Sequence, residues 1–362
     1  MLAAAAMSVP VAGCTSQHSQ LVSKPAATSS QLAPSAVQVP SRAPTQAAAS
    51  SAGELRASVD AALASSVAPS NAEVHAAVTA TTMSVHLPMA LSRVVAVARN
   101  GLVVVLGGLD AHNVTTSQTL IFDPTASSIR FGGHLAVAVH DAGAGIANGT
   151  AYVFGGGSAA STNAVQAVHT DGTAAIVGRL PGPRSDDSVA VAGDVLYVLG
   201  GYDGAHELAG VLATTDGVTF HQVGQLGETV RYGAAYASPG AVWMIGGEHQ
   251  GTPIADIQRV DTRTGVSTLV GALPHPLAHA VVAVVGGQVL ILGGSDGHYP
   301  QKTIYAFDPV TASVTLAGSL PESVSDMATA VVAGTAYVLG GDVLTGTRSI
   351  APTAAIVAVS IS

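Results

Sequence analysis

The sequence predicts an all-β protein built from six repeats, and three observations lead to that fold. Gly-Gly doublets recur six times, with separations of 48, 45, 46, 47 and 47 residues. Each doublet ends a short apolar run such as Tyr197-Val198-Leu199, and short β-branched runs bounded by glycine indicate strands. A second apolar segment precedes each run across a tight turn, which is a hairpin signal. The doublets are Gly107-Gly108, Gly155-Gly156, Gly200-Gly201, Gly246-Gly247, Gly293-Gly294 and Gly340-Gly341.

Each period has room for two further strands after its doublet. Asp171-Gly172 and Asp216-Gly217 suit two-residue hairpin turns between the third and fourth strands. The longer turns, such as Asp308-Pro309-Val310-Thr311, begin with an aspartate that accepts backbone N–H bonds. Four short antiparallel strands per period are typical of a propeller blade, so the sequence predicts a six-bladed β-propeller.

The last blade is predicted to be closed by an N-terminal strand. After Gly341 the chain has room only for a third strand, from Ala354 to Ser360. Upstream of the first blade a spare strand-like segment runs from Thr82 to Leu87 and is followed by Pro88, as other predicted fourth strands end in Leu-Pro. We expect this segment to pair with the last blade and cover an edge that would otherwise favour aggregation.

The repeats resemble kelch motifs over residues 81 to 362. The Gly-Gly doublet of that family is present six times, and its upstream tyrosine appears as Tyr152, Tyr197 and Tyr337. The downstream pattern appears in Phe307-Asp308-Pro309-Val310-Thr311. One departure is the tryptophan of the fourth strand: the only tryptophan, Trp243, lies on a second strand, and we expect apolar residues to replace it in packing.

The N-terminus resembles a bacterial lipoprotein signal over residues 1–14. An apolar run from Leu2 to Val11 is too short to span a bilayer and leads into Ala12-Gly13-Cys14, where small residues precede the cysteine. The resemblance implies cleavage before Cys14, a lipid on its thiol, and an exported, membrane-anchored protein facing the extracellular or periplasmic side. The alternative is an Ala-rich segment that happens to contain a cysteine.

Two further segments complete the predicted organisation. In residues 15–70, forty of 56 residues are Ala, Ser, Pro, Thr or Gln, a composition that predicts a flexible tether. Residues 71–362 form the predicted propeller.

Charge and cysteine content exclude several function classes. With 13 Lys and Arg against 22 Asp and Glu, the formal charge of −9 is unsuited to a nucleic-acid surface. Cys14 is the only cysteine, so an intrachain disulfide and a cysteine zinc site are excluded. Galactose oxidase and its relatives use a kelch-type propeller with a copper site and a Tyr–Cys cross-link, which a propeller without cysteine cannot build. We therefore predict neither a cofactor nor a metal.

The candidate site lies 14 residues before each doublet, at the head of the innermost strand. The six positions hold polar side chains, although the strands that follow are apolar, and we call them the rim ring: Arg93, Asp141, Asp186, Tyr232, His279 and Asp326. Two are preceded by further polar candidates, His140 and Arg231. In kelch propellers the corresponding loops form one rim of the central channel, where family members bind ligands. We expect a solvent-filled pocket there, with Arg93 and Arg231 contacting anionic groups and the aspartates accepting hydroxyl hydrogen bonds.

A purely structural role is the alternative for the rim ring. In a closed ring Arg93 would lie between Asp326 and Asp141, as an internal ion pair would require. The loops after the doublets add more polar side chains, and we expect the histidines among them to be solvated and not to bind a metal: Asp110, His112, Asp203, His206, Glu207, Glu248, His249, Asp296, His298 and Tyr299.

The sequence predicts a binding module rather than an enzyme. Its ligand would be a small glycan-like molecule or a peptide or protein, bound at the rim by a monomer. The alternative is a carbohydrate-modifying enzyme of the epimerase or mutarotase type, because a bacterial sialic-acid mutarotase shares the six-blade kelch plan and needs only acid and base groups. Gly293-Gly294-Ser295-Asp296-Gly297 fits the GxSxG string, but the doublets end strands and do not open helices, so no nucleophile elbow of a serine hydrolase is indicated. An HExxH motif is absent from the sequence, so such a zinc metalloprotease is not indicated either.

Overall fold

The computed structural model describes residues 77–346 and 348–362, which are organised as β-strands without helices. The predicted signal segment, the tether and Cys14 lie outside the described residues. Within the described part of the chain there is no helix that could cross a bilayer.

Six four-stranded antiparallel sheets, called blades 1 to 6, account for most of the strands. Blade 1 contains Val95–Arg99, Leu102–Leu106, Gln118–Asp123 and Ser128–His134. Blade 2 contains Gly143–Ala147, Thr150–Phe154, Ala164–Val168 and Ala174–Arg179. Blade 3 contains Ser188–Ala192, Val195–Leu199, Gly210–Thr214 and His221–Gln225. Blade 4 contains Ala234–Ser238, Ala241–Ile245, Asp256–Asp261 and Ser267–Ala272. Blade 5 contains Val281–Val285, Gln288–Leu292, Thr303–Phe307 and Val314–Ser319. Blade 6 contains Ala328–Val332, Thr335–Leu339, Ile356–Ile361 and Val78–Thr82.

Short extra strands lie in the loops at one end of the blades. Leu91–Ser92 pairs with Leu109–Asp110, Glu248–His249 pairs with Thr252–Pro253, and Val324–Ser325 pairs with Asp342–Thr345, which in turn pairs with Ser349–Pro352. The pairings of Leu91–Ser92 and Val324–Ser325 hold the loop after a doublet against the loop that leads into an innermost strand. The other two pairings lie within a loop after a doublet.

The blades form a closed ring, as a propeller requires. Each innermost strand contacts the innermost strands of both neighbouring blades, and that of blade 6 contacts that of blade 1. Six hydrophobic clusters lie between neighbouring blades, one at each interface. Each blade is therefore covered by a neighbour on both of its faces. For this reason the side chains on both faces of its strands are apolar, and the strands appear in the sequence as near-continuous apolar runs. The predicted all-β propeller fold is confirmed.

The glycine doublets join each blade to the next. Gly201 N–H donates to the Val230 carbonyl oxygen of the following blade at 2.7 Å, and a Cβ added to Gly200 would approach that same oxygen to 2.2 Å. Both glycines have positive φ, at 58° and 97°. All six doublets repeat this contact, and Gly341 donates to Leu91 across the junction between blades 6 and 1.

An N-terminal strand does complete the last blade, but its predicted bounds were wrong. Val78–Thr82 pairs antiparallel with Ile356–Ile361, whereas the prediction placed the two strands at 82–87 and 354–360. Leu87 is nevertheless equivalent to the leucines that follow the other fourth strands, because its N–H donates to the Ala354 carbonyl oxygen as Leu320 donates to Lys302. Extra residues between Thr82 and Leu87 leave the sheet, and the Leu-Pro pattern could not reveal them.

The Asp-Gly turns are longer than the two residues predicted. Ala164–Val168 is joined to Ala174–Arg179 by five residues, and Gly210–Thr214 to His221–Gln225 by six. In the second of these turns the Asp216 carboxylate accepts the N–H groups of Val218 and Thr219 at 2.8 Å each. The aspartate therefore sets the turn by accepting backbone bonds, as in the longer turns.

Candidate functional site

All six residues of the rim ring line one cavity on the propeller axis. Each lies two residues before its innermost strand, not at the head of the strand as predicted. The cavity, called the central cavity below, has a volume of ≈ 220 Å³. The structure thus brings together residues that are separated by 233 positions from the first, Arg93, to the last, Asp326.

The backbone of the rim ring forms a closed circle of hydrogen bonds. Each N–H donates to the carbonyl oxygen of the equivalent residue in the preceding blade, and Arg93 N–H closes the circle by donating to Asp326, with distances between 2.7 and 3.2 Å. All six residues have positive φ, between 50° and 59°. For a residue other than glycine this conformation costs roughly 1 kcal/mol. The chain therefore keeps six polar side chains where glycine would be easier to accommodate.

Arg93 is held between two aspartates of neighbouring blades. Its guanidinium lies 2.9 Å from the Asp141 carboxylate and 3.9 Å from that of Asp326. Burial raises the pKa of Asp141 to about 7, although Arg93 opposes the rise. The internal ion pair that the sequence offered as the structural alternative is therefore present.

Arg231 occupies the same role between blades 3 and 4. Its guanidinium lies 2.9 Å from the Asp186 carboxylate and donates to the Tyr232 hydroxyl at 2.7 Å. It also lies 5.0 Å from the ring centre of Tyr202 and 4.4 Å from that of Tyr232, within cation–π range. Burial raises the pKa of Asp186, and Arg231 opposes the rise.

His279 is a protonated member of the rim ring. Its Nδ1 lies 2.7 Å from the Asp326 carboxylate and its Nε2 lies 3.4 Å from that of Glu248. Burial opposes the charge on the imidazole, but the hydrogen bonds to both carboxylates raise the pKa of His279 to about 10. The ring stacks on Tyr232 at a centroid distance of 4.1 Å, so ring orientation is fixed from both sides.

His140 lies beside the rim ring, with its Nε2 3.9 Å from the Asp141 carboxylate. It is absent from the lining of the central cavity, and its Nδ1 is 2.9 Å from the Thr115 hydroxyl. Burial, assisted by the positive charge of Arg93, lowers the pKa of His140. The imidazole is therefore neutral at physiological pH and supports the loop after the blade 1 doublet.

Asp187 was not predicted from the sequence, because the residues before the rim-ring positions were compared and the residues after them were not. It lines the central cavity, its side chain is buried, and neither carboxyl oxygen has a hydrogen-bond partner within the described residues. Burial raises the pKa of Asp187 to about 8, while the charge of Arg184 opposes the rise. A comparison of the repeats would have found it, because the five equivalent residues are Val94, Ala142, Gly233, Ala280 and Met327.

Arg184 is a second charge at an otherwise apolar position of blade 3. It is buried and donates to the carbonyl oxygens of Gly200 at 2.8 Å and Gly210 at 3.2 Å. Its equivalents are Leu91, Val139, Val230, Leu277 and Val324. Both Arg184 and Asp187 pack against Gly201, so blade 3 carries two buried ionisable side chains at positions that are aliphatic or glycine in the other blades.

Two more carboxylates reach the rim from the loops after the doublets. Glu248 follows the blade 4 doublet and lies 3.9 Å from Arg231, and hydrogen bonding to His279 lowers its pKa. Asp342 follows the blade 6 doublet, and burial raises its pKa. The signal for both is their place directly after a doublet, where the short extra strands hold them against the rim. Within the described residues, no cluster of His, Cys, Asp and Glu is arranged to hold a metal ion.

Below the rim ring the cavity wall is made of small apolar residues. The lining includes Ala96, Ala144, Ala235, Val189 and Val282. A wide second cavity of ≈ 430 Å³ opens beyond them between blades 3, 4 and 5, and it shares Val189, Ala235 and Val282 with the first. The channel is therefore charged at one end and apolar at the other.

Comparison with known proteins finds one repeat family. The kelch motif model matches residues 276–321, a segment from the end of blade 4 through the fourth strand of blade 5. The chain is also similar to the human "Kelch repeat and BTB domain-containing protein 13", with 37% identity over 94 residues. That match covers 25% of this chain and 20% of the human protein, so it reaches about a fifth of the relative's length.

Proposed function

This chain is a kelch-repeat protein, and on that premise we propose that it is a binding module that takes a small glycan-like or peptide ligand at the rim ring. Kelch repeats form propellers that mediate protein interactions. The observation that carries the proposal is the rim ring itself: six polar side chains from six blades converge on one cavity, each kept at positive φ. Backbone conformations of this kind cluster at ligand sites, and the inference runs from the observed conformation to the role.

The ion pairs of the rim ring restrict which chemical groups of a ligand can bind there. Arg93 and Arg231 are engaged by Asp141 and Asp186, so an anionic group would have to compete with these carboxylates. Arg93 and Arg231 retain side-chain exposures of 34% and 24%, which leaves them within reach of a ligand on the rim. A ligand with several hydroxyl or amide groups can bond the exposed edges without breaking the pairs.

The test is a binding screen with the full chain on a glycan array and a peptide array. We expect hits whose affinity falls by about tenfold, ~1.4 kcal/mol, in Asp186→Asn, because the neutral amide weakens the hold on Arg231. The matched control is Asp203→Asn, in an exposed loop on the same face, which should leave affinity unchanged. Absence of hits on both arrays, or hits that Asp186→Asn binds as well as the wild type, would show that the rim ring is structural.

A carbohydrate-modifying enzyme is the second candidate, and one observation favours it. Asp141 and Asp187 both line the central cavity with pKa values near neutrality, about 7 and about 8, as acid and base groups of an epimerase or mutarotase require. Exchange spectroscopy of reducing sugars with the full chain separates the two candidates. Faster interconversion of anomers, lost in Asp141→Asn, would support the enzyme.

We further propose that the protein is exported and anchored by a lipid on Cys14. The support is the sequence alone: an apolar run, small residues and the only cysteine coincide. The wild-type protein should partition into detergent, and Cys14→Ser should move to the aqueous phase, because stable anchoring needs the lipid. Thr15→Ser, which leaves the cysteine in place, is the control. Equal partitioning of wild type and Cys14→Ser contradicts the anchor.

A further inference from the structure

The cations around the central cavity already have partners among the described residues. Arg93 pairs with Asp141, Arg231 with Asp186, and His279 with Asp326 and Glu248. Arg184 donates to backbone carbonyl oxygens. An anionic ligand would therefore have to compete with these carboxylates, and the Arg231 Nε, which lacks a hydrogen-bond partner among the described residues, is itself buried.

Two residues of the cavity lining carry buried polar side-chain atoms without a partner among the described residues. Both carboxyl oxygens of Asp187 are buried and lack a hydrogen-bond partner within the described residues, and the same holds for the Thr329 hydroxyl oxygen. Both residues line the central cavity. A buried carboxyl group without a partner costs about 1–3 kcal/mol, so its retention at a position that is apolar in five blades calls for a role.

The wall next to Asp187 is shaped to fit its carboxyl group. A Cβ added to Gly143 would lie 2.6 Å from Asp187 Oδ2 and 2.4 Å from Val189 Cγ2. The φ of Gly143 is not positive, so glycine is needed here for space and not for backbone conformation. Equivalent positions in the other blades carry side chains: Val95, Ser188, Ala234, Val281 and Ala328.

We propose that the central cavity binds an aliphatic ammonium group, such as a lysine side chain of a peptide ligand, with Asp187 as its anionic partner. The apolar wall of Ala96, Ala144 and Val189 fits the alkyl chain, and the Asp187 carboxylate receives the ammonium hydrogens. This inference rests on the proposed function and names the ligand chemistry of the same site.

Binding is linked to release of a proton from Asp187. In the absence of a cation the carboxyl group is held neutral by burial, against the positive charge of Arg184 and with the negative charges of Asp186 and Asp141. An ammonium ion within a few ångströms favours the ionised form, so the proton leaves to solvent as the ion pair forms.

The experiment compares three probes that share one alkyl chain and differ in head group: hexylammonium, hexan-1-ol and hexanoate. Calorimetric titration of the full chain at pH 7 should show hexylammonium binding at least about tenfold more tightly than hexan-1-ol, with hexanoate weakest. Repetition in buffers of different ionisation enthalpy should show a fraction of a proton released for hexylammonium alone.

Variants assign the effect to Asp187. Asp187→Asn should weaken hexylammonium by about tenfold, abolish proton release and leave hexan-1-ol within about twofold. Exposed Glu322→Gln should change nothing. Circular dichroism confirms that each variant is folded, and Asp187→Glu serves as a second variant that keeps the charge and should retain the preference for the cation.

The contrary results are distinct from failure of the proposed function. Hexanoate binding best, hexylammonium failing to bind, or Asp187→Asn binding hexylammonium as well as the wild type would each overturn the inference. In those cases the proposed function would still be supported by hits on the glycan or peptide array that Asp186→Asn binds more weakly than the wild type. Conversely, hexylammonium binding that depends on Asp187 supports the inference even where the arrays give no hits.

Discussion

At the residue scale, Asp187 places a buried carboxyl group at a position of the repeat that is apolar in the other five blades. The other blades carry aliphatic residues or glycine at this position, and the repeat therefore predicts burial there. Blade 3 keeps the burial and adds a carboxyl group, whose pKa rises to about 8 because burial disfavours its charged form. The same burial raises the pKa of Asp141, but there Arg93 supplies a partner.

The raised pKa of Asp187 predicts a pH-dependent stability difference between wild type and Asp187→Asn. The folded carboxyl holds its proton up to about pH 8, whereas the unfolded one releases it near pH 4. The folded state therefore binds more protons between these values, and wild-type stability falls as pH rises through that window. The variant lacks this loss, so it should gain on the order of 4 kcal/mol relative to the wild type between pH 5 and pH 8, at about 1.4 kcal/mol per pH unit.

Urea denaturation of the full chain at several pH values measures that difference, with Glu322→Gln as the matched exposed control. The control should run parallel to the wild type, because its carboxylate is solvated in both states. A wild-type curve parallel to that of Asp187→Asn would show that Asp187 is ionised in the folded protein.

At the scale of the element, each blade is held to the next by its glycine doublet. The second glycine donates an N–H to a carbonyl oxygen of the next blade, and the first leaves room for that oxygen. The doublets, which first revealed the repeat, thus mark the points where blades join. Their spacing is regular because every blade has to present the same joint to its neighbour.

We expect Gly200→Ala to destabilise the propeller by roughly 3 kcal/mol or more. Its Cβ would approach the Val230 carbonyl oxygen to 2.2 Å, and the positive φ of 58° adds a cost of about 1–2 kcal/mol. Gly240→Ala is the control, since Gly240 has a φ of 87° but no heavy atom within 4 Å of its added Cβ. Denaturant unfolding should show the larger loss of unfolding free energy for Gly200→Ala. Equal losses would mean that the positive φ, and not the close approach to the Val230 carbonyl oxygen, is what requires glycine at the doublet.

At the scale of the whole molecule, the ring is closed by pairing the two ends of the described chain. Val78–Thr82 covers the outer edge of Ile356–Ile361, and Gly341 joins blade 6 to blade 1 through Leu91. Hydrophobic clusters continue across this junction as across the other five. In a ring closed in this way every blade packs between two neighbours. Breaking the junction therefore removes the packing between blades 6 and 1 and opens the ring.

Truncation tests closure directly. Deleting residues 1–76 should leave the propeller folded, whereas deleting residues 1–83 removes the closing strand and exposes a strand edge. The loss includes the packing of Val78 and Ala80 against the core between blades 5 and 6 and several strand hydrogen bonds, together about 3 kcal/mol or more. Thermal melting and light scattering should show a lower Tm and aggregation for the shorter protein, and matching curves would contradict closure by this strand.

The sequence by itself determined the features that arise from local pattern. Strands, turns and doublets repeat every period, so the all-β fold and the place of the rim ring could be derived from spacing. The position 14 residues before each doublet is equivalent in all blades, which is why counting was enough to bring six distant residues together.

The tertiary structure alone decided which groups meet across blades. That Arg93 pairs with Asp141, that His279 lies between Asp326 and Glu248, and that the closing strand ends at Thr82 depend on side-chain reach and on residues inserted between elements. The pKa of Asp187 depends on burial and on the absence of a hydrogen-bond partner within the described residues, which are properties of the packed ring. The repeat spacing determines where each residue lies in its blade. The ion pairs and protonation state of a side chain depend on the residues of other blades that pack around it.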